Sequence, residues 1–311
     1  MTTLLGIDLG GTKIAAAFVH GDGRVHLRHT AATPANSGAG AVLDAIVGLA
    51  REVLDTEGAE TPAGCGIGAA GVIDPKTGSV VSATDSLPGW SGTPLRSELE
   101  RRLGLPVTAI NDVQAHALGE AVRGAGAGHG TVLTIAAGTG IGGALVVDGR
   151  LLAGRHGAAG HYGHIASPAA IGRPCPCGGT GHVEAVASGP ALHALYAESG
   201  GSAADALEVF ALAADGDARA VSAVDRAASA LGSMIGGLVN EIDPDLVVLG
   251  GGLAGSGETW WSAADAAARS EMLPFLRSCA IVPARLALDS AIVGATVAFE
   301  QEHPLTRETR L

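Results

Sequence analysis

The densest group of side chains capable of chemistry lies between Gly154 and Gly189, in the run GRHGAAGHYGHIASPAAIGRPCPCGGTGHVEAVASG. It holds two of the four cysteines and four of the eleven histidines, together with the carboxylate Glu184. Glycine and proline interrupt this run, so the chain turns repeatedly and can fold these groups back on one another. His164, Cys175, Cys177 and His182 supply two imidazoles and two thiols, the ligand set of a closed tetrahedral zinc site. A bare Cys-x-Cys pair would read as an ordinary reduced surface loop, because paired zinc cysteines are usually two or more residues apart. Two histidines bracketing the pair tip the reading toward a metal. The interleaved His161 and Glu184 give such a metal a purpose, which is to pin a loop carrying polar groups for another task.

A second kind of chemistry is spelled by three glycine turns, each following an apolar strand pattern. They are Asp8-Leu9-Gly10-Gly11-Thr12-Lys13, Gly138-Thr139-Gly140 and Gly250-Gly251-Gly252. Backbone amides unobstructed by side chains can cradle phosphate oxygens. Two of the turns also read simply as hairpins. None has Walker A spacing, and the first two lead into strands rather than helices, which removes the dinucleotide fingerprint. Three in one chain, two with Thr and one with Lys, favour a nucleotide. Asp8 at its strand end reads as a turn residue or as a group that holds Mg²⁺ through water. Asp112 is the best general base, since phosphoryl transfer needs neutralised charge and an oriented hydroxyl more than covalent help. A helix N-terminus would weaken it as a base, and burial among Ile110, Val113 and Ala115 would strengthen it. Sequence leaves that balance open. Asp112 also reads as the N-cap of the helix that follows.

The elements that must position these groups alternate between strands and helices. Leu4–Asp8, Ile14–Val19 and Arg24–His29 read as strands, and Gly40–Thr56 as an amphipathic helix closed by Gly58. Gly64–Val72 reads as one buried strand, Ser79–Ser82 as another, and Leu95–Leu103 as a helix stopped by Gly104. Val107–Ile110 is a strand leading to Asn111-Asp112 and a helix through Ala121. At Thr131 the opening pattern returns: Leu133–Leu145 repeats the strand, Gly/Thr turn and strand of Leu5–Ala17. This weak duplication points to two related halves. Beyond the Gly154–Gly189 run, helices are expected near Pro190–Glu198, Asp205–Ala214, Asp217–Ile242, Glu258–Arg269 and Ala291–Glu302, with strands at Leu246–Leu249 and Cys279–Val282. The alternation defines an α/β architecture.

Bulk properties narrow the function classes. A chain of 311 residues suits one large or two medium domains. With 47% hydrophobic but only 3% aromatic residues, its cores must be built from Ala, Val, Leu and Ile. A net charge of −12 argues against a nucleic-acid surface. No apolar run is long enough to span a membrane, and MTTLLGIDLGGTK lacks a basic leader. Cys65 and Cys279 read as isolated buried thiols, and such usage fits a reducing cytoplasm.

Four blocks together carry a resemblance: LGIDLGGTKIAAAFV, INDVQAHALGE, TIAAGTGIGGALVVDGRLLAG and GHIA…CPCGGTGHVEAVASG. They resemble the ROK family of bacterial sugar kinases, from the first strand to Gly252. The resemblance implies an actin/hexokinase-like (ribonuclease H-like) α/β fold of two domains with an interdomain cleft. The expected division is 1–110 plus about 290–311, against 111–289 carrying the zinc loop. It implies ATP phosphates at Asp8, Gly10–Lys13 and Gly138–Gly140, and the nucleoside near Gly250–Gly252. Asn111 would bind sugar along with Gly71, His161, His164 and Glu184, and Asp112 would take the proton from the sugar 6-hydroxyl. ATP, Mg²⁺ and structural Zn²⁺ are the implied cofactors. A homodimer or homotetramer is the implied assembly.

Three departures from the family pattern bear on substrate. His182 stands where a third zinc cysteine is usual, giving a Cys2His2 set that imidazole chemistry tolerates. Ser86 precedes Leu87-Pro88-Gly89-Trp90 where Asn is frequent. His161 replaces the Glu of glucose-handling members, and the pattern Ala159-Gly160-His161-Tyr162-Gly163-His164 is similar to that of N-acetylmannosamine kinases. A carboxylate only accepts hydrogen bonds, whereas neutral imidazole donates one and accepts one. An acetamido carbonyl wants a donor, so His is its better neighbour. The expected activity is therefore N-acetylmannosamine kinase, with glucokinase or N-acetylglucosamine kinase as the alternative. A non-catalytic sugar-sensing regulator of the same family is the rival from another class. Family regulators carry a DNA-binding segment ahead of the kinase-like part, and Asp8 already lies in the first strand.

Overall fold

The computed structural model describes residues 2–56, 60–83 and 87–304. Gly58 and Ser86 lie outside those residues. The chain runs β1 (Thr3–Leu9), β2 (Lys13–His20), β3 (Val25–Ala32), α1 (Gly38–Leu54), β4 (Cys65–Ala69), β5 (Val72–Ile73), β6 (Val80–Ser82), α2 (Leu95–Leu103), β7 (Val107–Asn111) and α3 (Asp112–Val122). It continues with β8 (Thr131–Ala137), β9 (Ile141–Val147), β10 (Arg150–Leu151), α4 (Glu184–Ala187), α5 (Gly189–Glu198), α6 (Ala206–Ala214) and α7 (Ala218–Ile242). It ends with β11 (Leu246–Gly250), α8 (Glu258–Glu271), β12 (Ala280–Pro283) and α9 (Ser290–Glu302).

The first sheet has the order β3-β2-β1-β4-β7 and the second β10-β9-β8-β11-β12. In each, the opening strand lies at the centre, a meander runs to one side, and parallel strands add on the other. The duplication expected from the two Gly/Thr turns is thus repeated in the strand order. Strands covered on both faces read as continuous apolar runs. Ile14, Ala16 and Phe18 of β2 pack with Ile46 and Val53 of α1, while Ala15, Ala17 and Val19 pack with Ile292 and Val293 of α9. On the α9 face β1 and β4 carry Gly6 and Gly66: a Cβ on Gly66 would overlap the Ala295 carbonyl. Those glycines let the helix lie directly on the backbone of the sheet.

Two compact units result, Met1–Gly130 with Ala144–Gly160 and Ala284–Leu311, and Thr131–Gly143 with His161–Pro283. The expected boundary at residue 110 differs, because α3 packs within the first unit. A Cβ on Gly119 or Gly294 would strike the backbone of the facing helix, so α3 and α9 meet at backbone contact. Glu120, fully buried, ties the same pair. Burial alone would raise its carboxyl, but the amides of Ala125, Arg285 and Leu286 and the Ser290 hydroxyl donate to it and hold it below the usual range.

Three expectations are corrected. The buried strand Gly64–Val72 is two, since Gly71 (φ 103°) turns the chain out of the first sheet into the β5–β6 pair. The N-cap of α3 is Asn111, whose Oδ1 accepts from the Gln114 amide, and Asp112 is the first helical residue. Cys279 is half-buried beside the edge strand β12, with its thiol directed at the Pro244 carbonyl. No helix among the described residues is long and apolar enough to cross a membrane.

Candidate active site and metal centre

In the first unit, parallel pairing aligns the carboxyl ends of β1, β4 and β7: Asp8 lies opposite Gly68, and Gly68 opposite Ile110. Gly68 leaves room for the start of α3, since a Cβ there would press on Asp112 Cα and Ala115 Cβ. Asp8 and Asp112 are therefore brought within electrostatic reach. Burial, and then the Asp112 charge, push the Asp8 carboxyl up to about 7, against the opposing pull of Arg28 and Lys13. Two carboxylates that disfavour each other's charge fit a divalent cation, the chemistry Mg²⁺ requires. Asn111, 9% exposed, donates from Nδ2 to the Gly71 carbonyl (2.9 Å) and to Asp112 Oδ1 (2.8 Å). The Val113 amide donates to the same Oδ1 at 2.9 Å, which fixes the carboxylate's orientation. Beside Asp8 the Gly10 amide is used by the Lys13 carbonyl, while those of Gly11 and Thr12 have no acceptor among the described residues.

In the second unit the turns after β8 and β11 stand side by side at the carboxyl ends of parallel strands, with Gly250 opposite Ala136. Gly250 itself is buried within β11, and the exposed part of that turn is Gly251–Gly252. The Gly138 amide donates to the Gly140 carbonyl, leaving those of Thr139 and Gly140 without an acceptor among the described residues. Glu184, expected among sugar contacts, turns its Oε2 to the Ile141 amide (2.8 Å) and so braces this turn from its far strand. Gly140 allows that approach, since a Cβ there would crowd Glu184 Oε2.

A cavity of about 400 Å³ opens next to these turns, floored by Gly138–Thr139 and Gly252–Leu253 and walled by Pro190, His193 and Ala204–Leu207. Sequence reasoning missed His193 and the loop before α6. His193 Nε2 lies 2.7 Å from the Ala203 carbonyl, so Nε2 carries the proton and holds this wall. Asp205 was legible as a cap, but nothing in its local pattern indicated a cavity.

The four expected zinc ligands converge. One donor atom from each of His164, Cys175, Cys177 and His182 lies within 4.8 Å of the others. Cys175 Sγ is 3.6 Å from His164 Nδ1, and Cys177 Sγ is 3.3 Å from His182 Nδ1. A tetrahedral Zn²⁺ with ordinary bond lengths demands S···N edges of about 3.6 Å, so the residues fit the ion. The tight turn follows from Gly178 (φ 87°), whose amide donates to the Cys175 carbonyl, and from the bridge Pro174–Thr180. Arg173 joins the loop to its surroundings, donating to the Ala185 carbonyl and bidentately to Glu198 (2.9 and 2.7 Å). His161 is exposed, with its ring centroid 6.1 Å from that of His164.

Duplicated sheets of this order, with acidic groups and glycine turns at the carboxyl ends of their central strands, define an actin/hexokinase-like phosphotransferase. The ROK family model matches residues 4–302. The chain is 34% identical over 307 residues to a glucokinase of Thermotoga maritima, spanning 94% of this chain and 95% of that protein. It is 38% identical over 253 residues to an N-acetylmannosamine kinase of Shigella flexneri, spanning 80% and 82%. The structure of a ROK family glucokinase from Streptomyces griseus in complex with glucose and AMPPNP superposes with a TM-score of 0.82 at 32% identity, covering 94% of this chain and 97% of that one. The chain belongs to the ROK family, and it is an ATP-dependent sugar kinase.

Proposed function

We propose that this kinase transfers the γ-phosphoryl group of ATP to the 6-hydroxyl of N-acetylmannosamine, with Asp112 as general base. The observation carrying the reading is the Gly71–Asn111–Asp112 chain of hydrogen bonds, which holds one carboxylate in a fixed direction at the carboxyl end of β7. Asp112 takes the hydroxyl proton as the sugar oxygen bonds to phosphorus and the bond to the ADP oxygen breaks. The open amides of Gly11, Thr12, Thr139 and Gly140 receive phosphate charge, and Lys13 adds a cation. Mg²⁺, when bound, neutralises phosphate charge, and Asp8 is the carboxylate that would hold it. The cavity beside Gly252 takes the nucleoside. Replacing Asp112 by Asn should cut turnover by about a hundredfold or more while sugar binding survives. Near-normal turnover would remove Asp112 from the mechanism.

Structural Zn²⁺ would be held by His164, Cys175, Cys177 and His182. With His164 Nδ1 on the metal, its Nε2 is fixed as an N–H donor for a sugar hydroxyl. His161 precedes this loop and Glu184 opens α4 after it; both are sugar contacts, and His161 meets the acetamido carbonyl. The second reading, glucokinase or N-acetylglucosamine kinase, is favoured by the match to the Thermotoga maritima glucokinase over 94% of the chain. ADP release measured across glucose, mannose and their N-acetylated 2-amino forms separates the two. Four free thiols suit a cytoplasmic location. Light scattering should find a homodimer or homotetramer, and a monomer would refute that expectation.

A further inference from the structure

We infer that Gln114 is a positioning residue for the sugar, holding the Gly154–Gly160 loop on the helical turn that carries Asn111 and Asp112; this rests on the kinase reading of that turn. Gln114 is the third helical residue of α3, where a glutamine after an Asn cap ordinarily reaches back to the cap's own amide. Here its side chain turns the other way. It is 4% exposed, and Nε2 donates to the Gly157 carbonyl (3.1 Å) and to the Ala159 carbonyl (3.2 Å). An amide nitrogen has two hydrogens, and both are spent on this one loop. Within the loop the Ala159 amide donates to the Ala153 carbonyl and that of Gly157 to the Gly154 carbonyl. Gly157 (φ 72°) is pressed so near β5 that a Cβ would overlap the Ile73 carbonyl. The loop is thus packed against β5, and Gln114 is a side chain that holds it there.

The consequence lies in what the loop precedes. Gly160 is followed directly by His161, the residue assigned to substrate choice. One helical turn thus fixes Asp112 through Asn111 and, through Gln114, the loop whose last residue is joined to His161. Losing the two donors would let the loop shift against the base and leave two carbonyls unsatisfied. The loss should fall on sugar binding, while nucleotide binding at Gly138–Gly140 and Gly251–Gly252 is untouched.

The test uses the full-length kinase with its preferred sugar and three variants, Gln114→Met, Gln114→Glu and Gln114→Asn. Gln114→Met keeps the volume and removes the donors, and should raise the sugar KM about tenfold while the ATP KM stays unchanged. Gln114→Glu, when ionised, faces two carbonyls as an acceptor, but regains one donor when protonated. Its sugar KM should therefore fall toward the wild-type value as pH is lowered, a dependence that packing alone would not produce. Gln114→Asn is too short to reach the loop and should behave like Gln114→Met. An unchanged sugar KM in a folded Gln114→Met protein would overturn the inference, as would sugar and ATP KM rising together. Asp112→Asn serves as the separate control: near-normal turnover there would end the site reading itself, whatever Gln114 does.

Discussion

Asp8 and Asp112 show how residue-scale chemistry is set by neighbours rather than by type. Asp8 holds its proton up to about 7, so between about pH 4 and 7 the folded chain binds more protons than the unfolded one. Its contribution to stability is therefore lost as pH rises through that window, the sign expected of a buried acid. Asp8→Asn removes the ionisable group, and in metal-free protein should raise the melting temperature at about pH 8 and change it little at about pH 4. Thermal melts at both pH values check this; a gain at the lower pH alone would contradict the assignment. Turnover should fall in the same variant, as the proposed role of Asp8 in holding Mg²⁺ requires. At His161 the expectation concerns preference. His161→Glu should move the ratio of kcat/KM from N-acetylmannosamine toward glucose, and an unaltered ratio would show that this side chain does not choose the sugar.

At the scale of elements, the site depends on how closely helices approach one another. α3 begins with Asp112, the proposed base, and is seated by α9, much later in sequence, through Gly119 and Gly294. A methyl group at Gly294 would collide with the Ala115 carbonyl, so Gly294→Ala should cost about 3 kcal/mol or more, read as a lowered urea midpoint. In the loop from His164 to His182 the larger apolar residues Ile165 and Ile171 are exposed, and the four proposed ligands would close it instead. Metal analysis should give about one zinc per chain. Chelation should lower both stability and sugar affinity, whereas a metal-free, folded and fully active protein would refute the site. Cys175→Ser should reproduce the chelated state.

For the whole molecule, the acidic balance of −12 predicts no retention of duplex DNA even at low salt. A gel-shift experiment with a labelled duplex checks it, and salt-sensitive binding would revive a regulatory role. Much of the architecture was legible in the chain. Apolar runs punctuated by Gly-Gly and Gly-Thr-Gly turns specify strands locally, and the repeat at Thr131 announced two related sheets. The convergence of His164, Cys175, Cys177 and His182 was legible too, because all four lie within one short segment whose glycines and prolines bend it back on itself. What sequence could not supply was anything resting on contacts between distant segments. The helix cap belonged to Asn111 rather than Asp112, since the Gly71 carbonyl, forty residues earlier, and the Gln114 amide select the Asn side chain. Gln114 read as one more polar helical residue until the Gly157 and Ala159 carbonyls were found facing it. Periodicity and turn chemistry are local and survive in a string of letters; the partner of a buried amide, the room left by a glycine and the pKa of Asp8 depend on which backbone another part of the chain brings near.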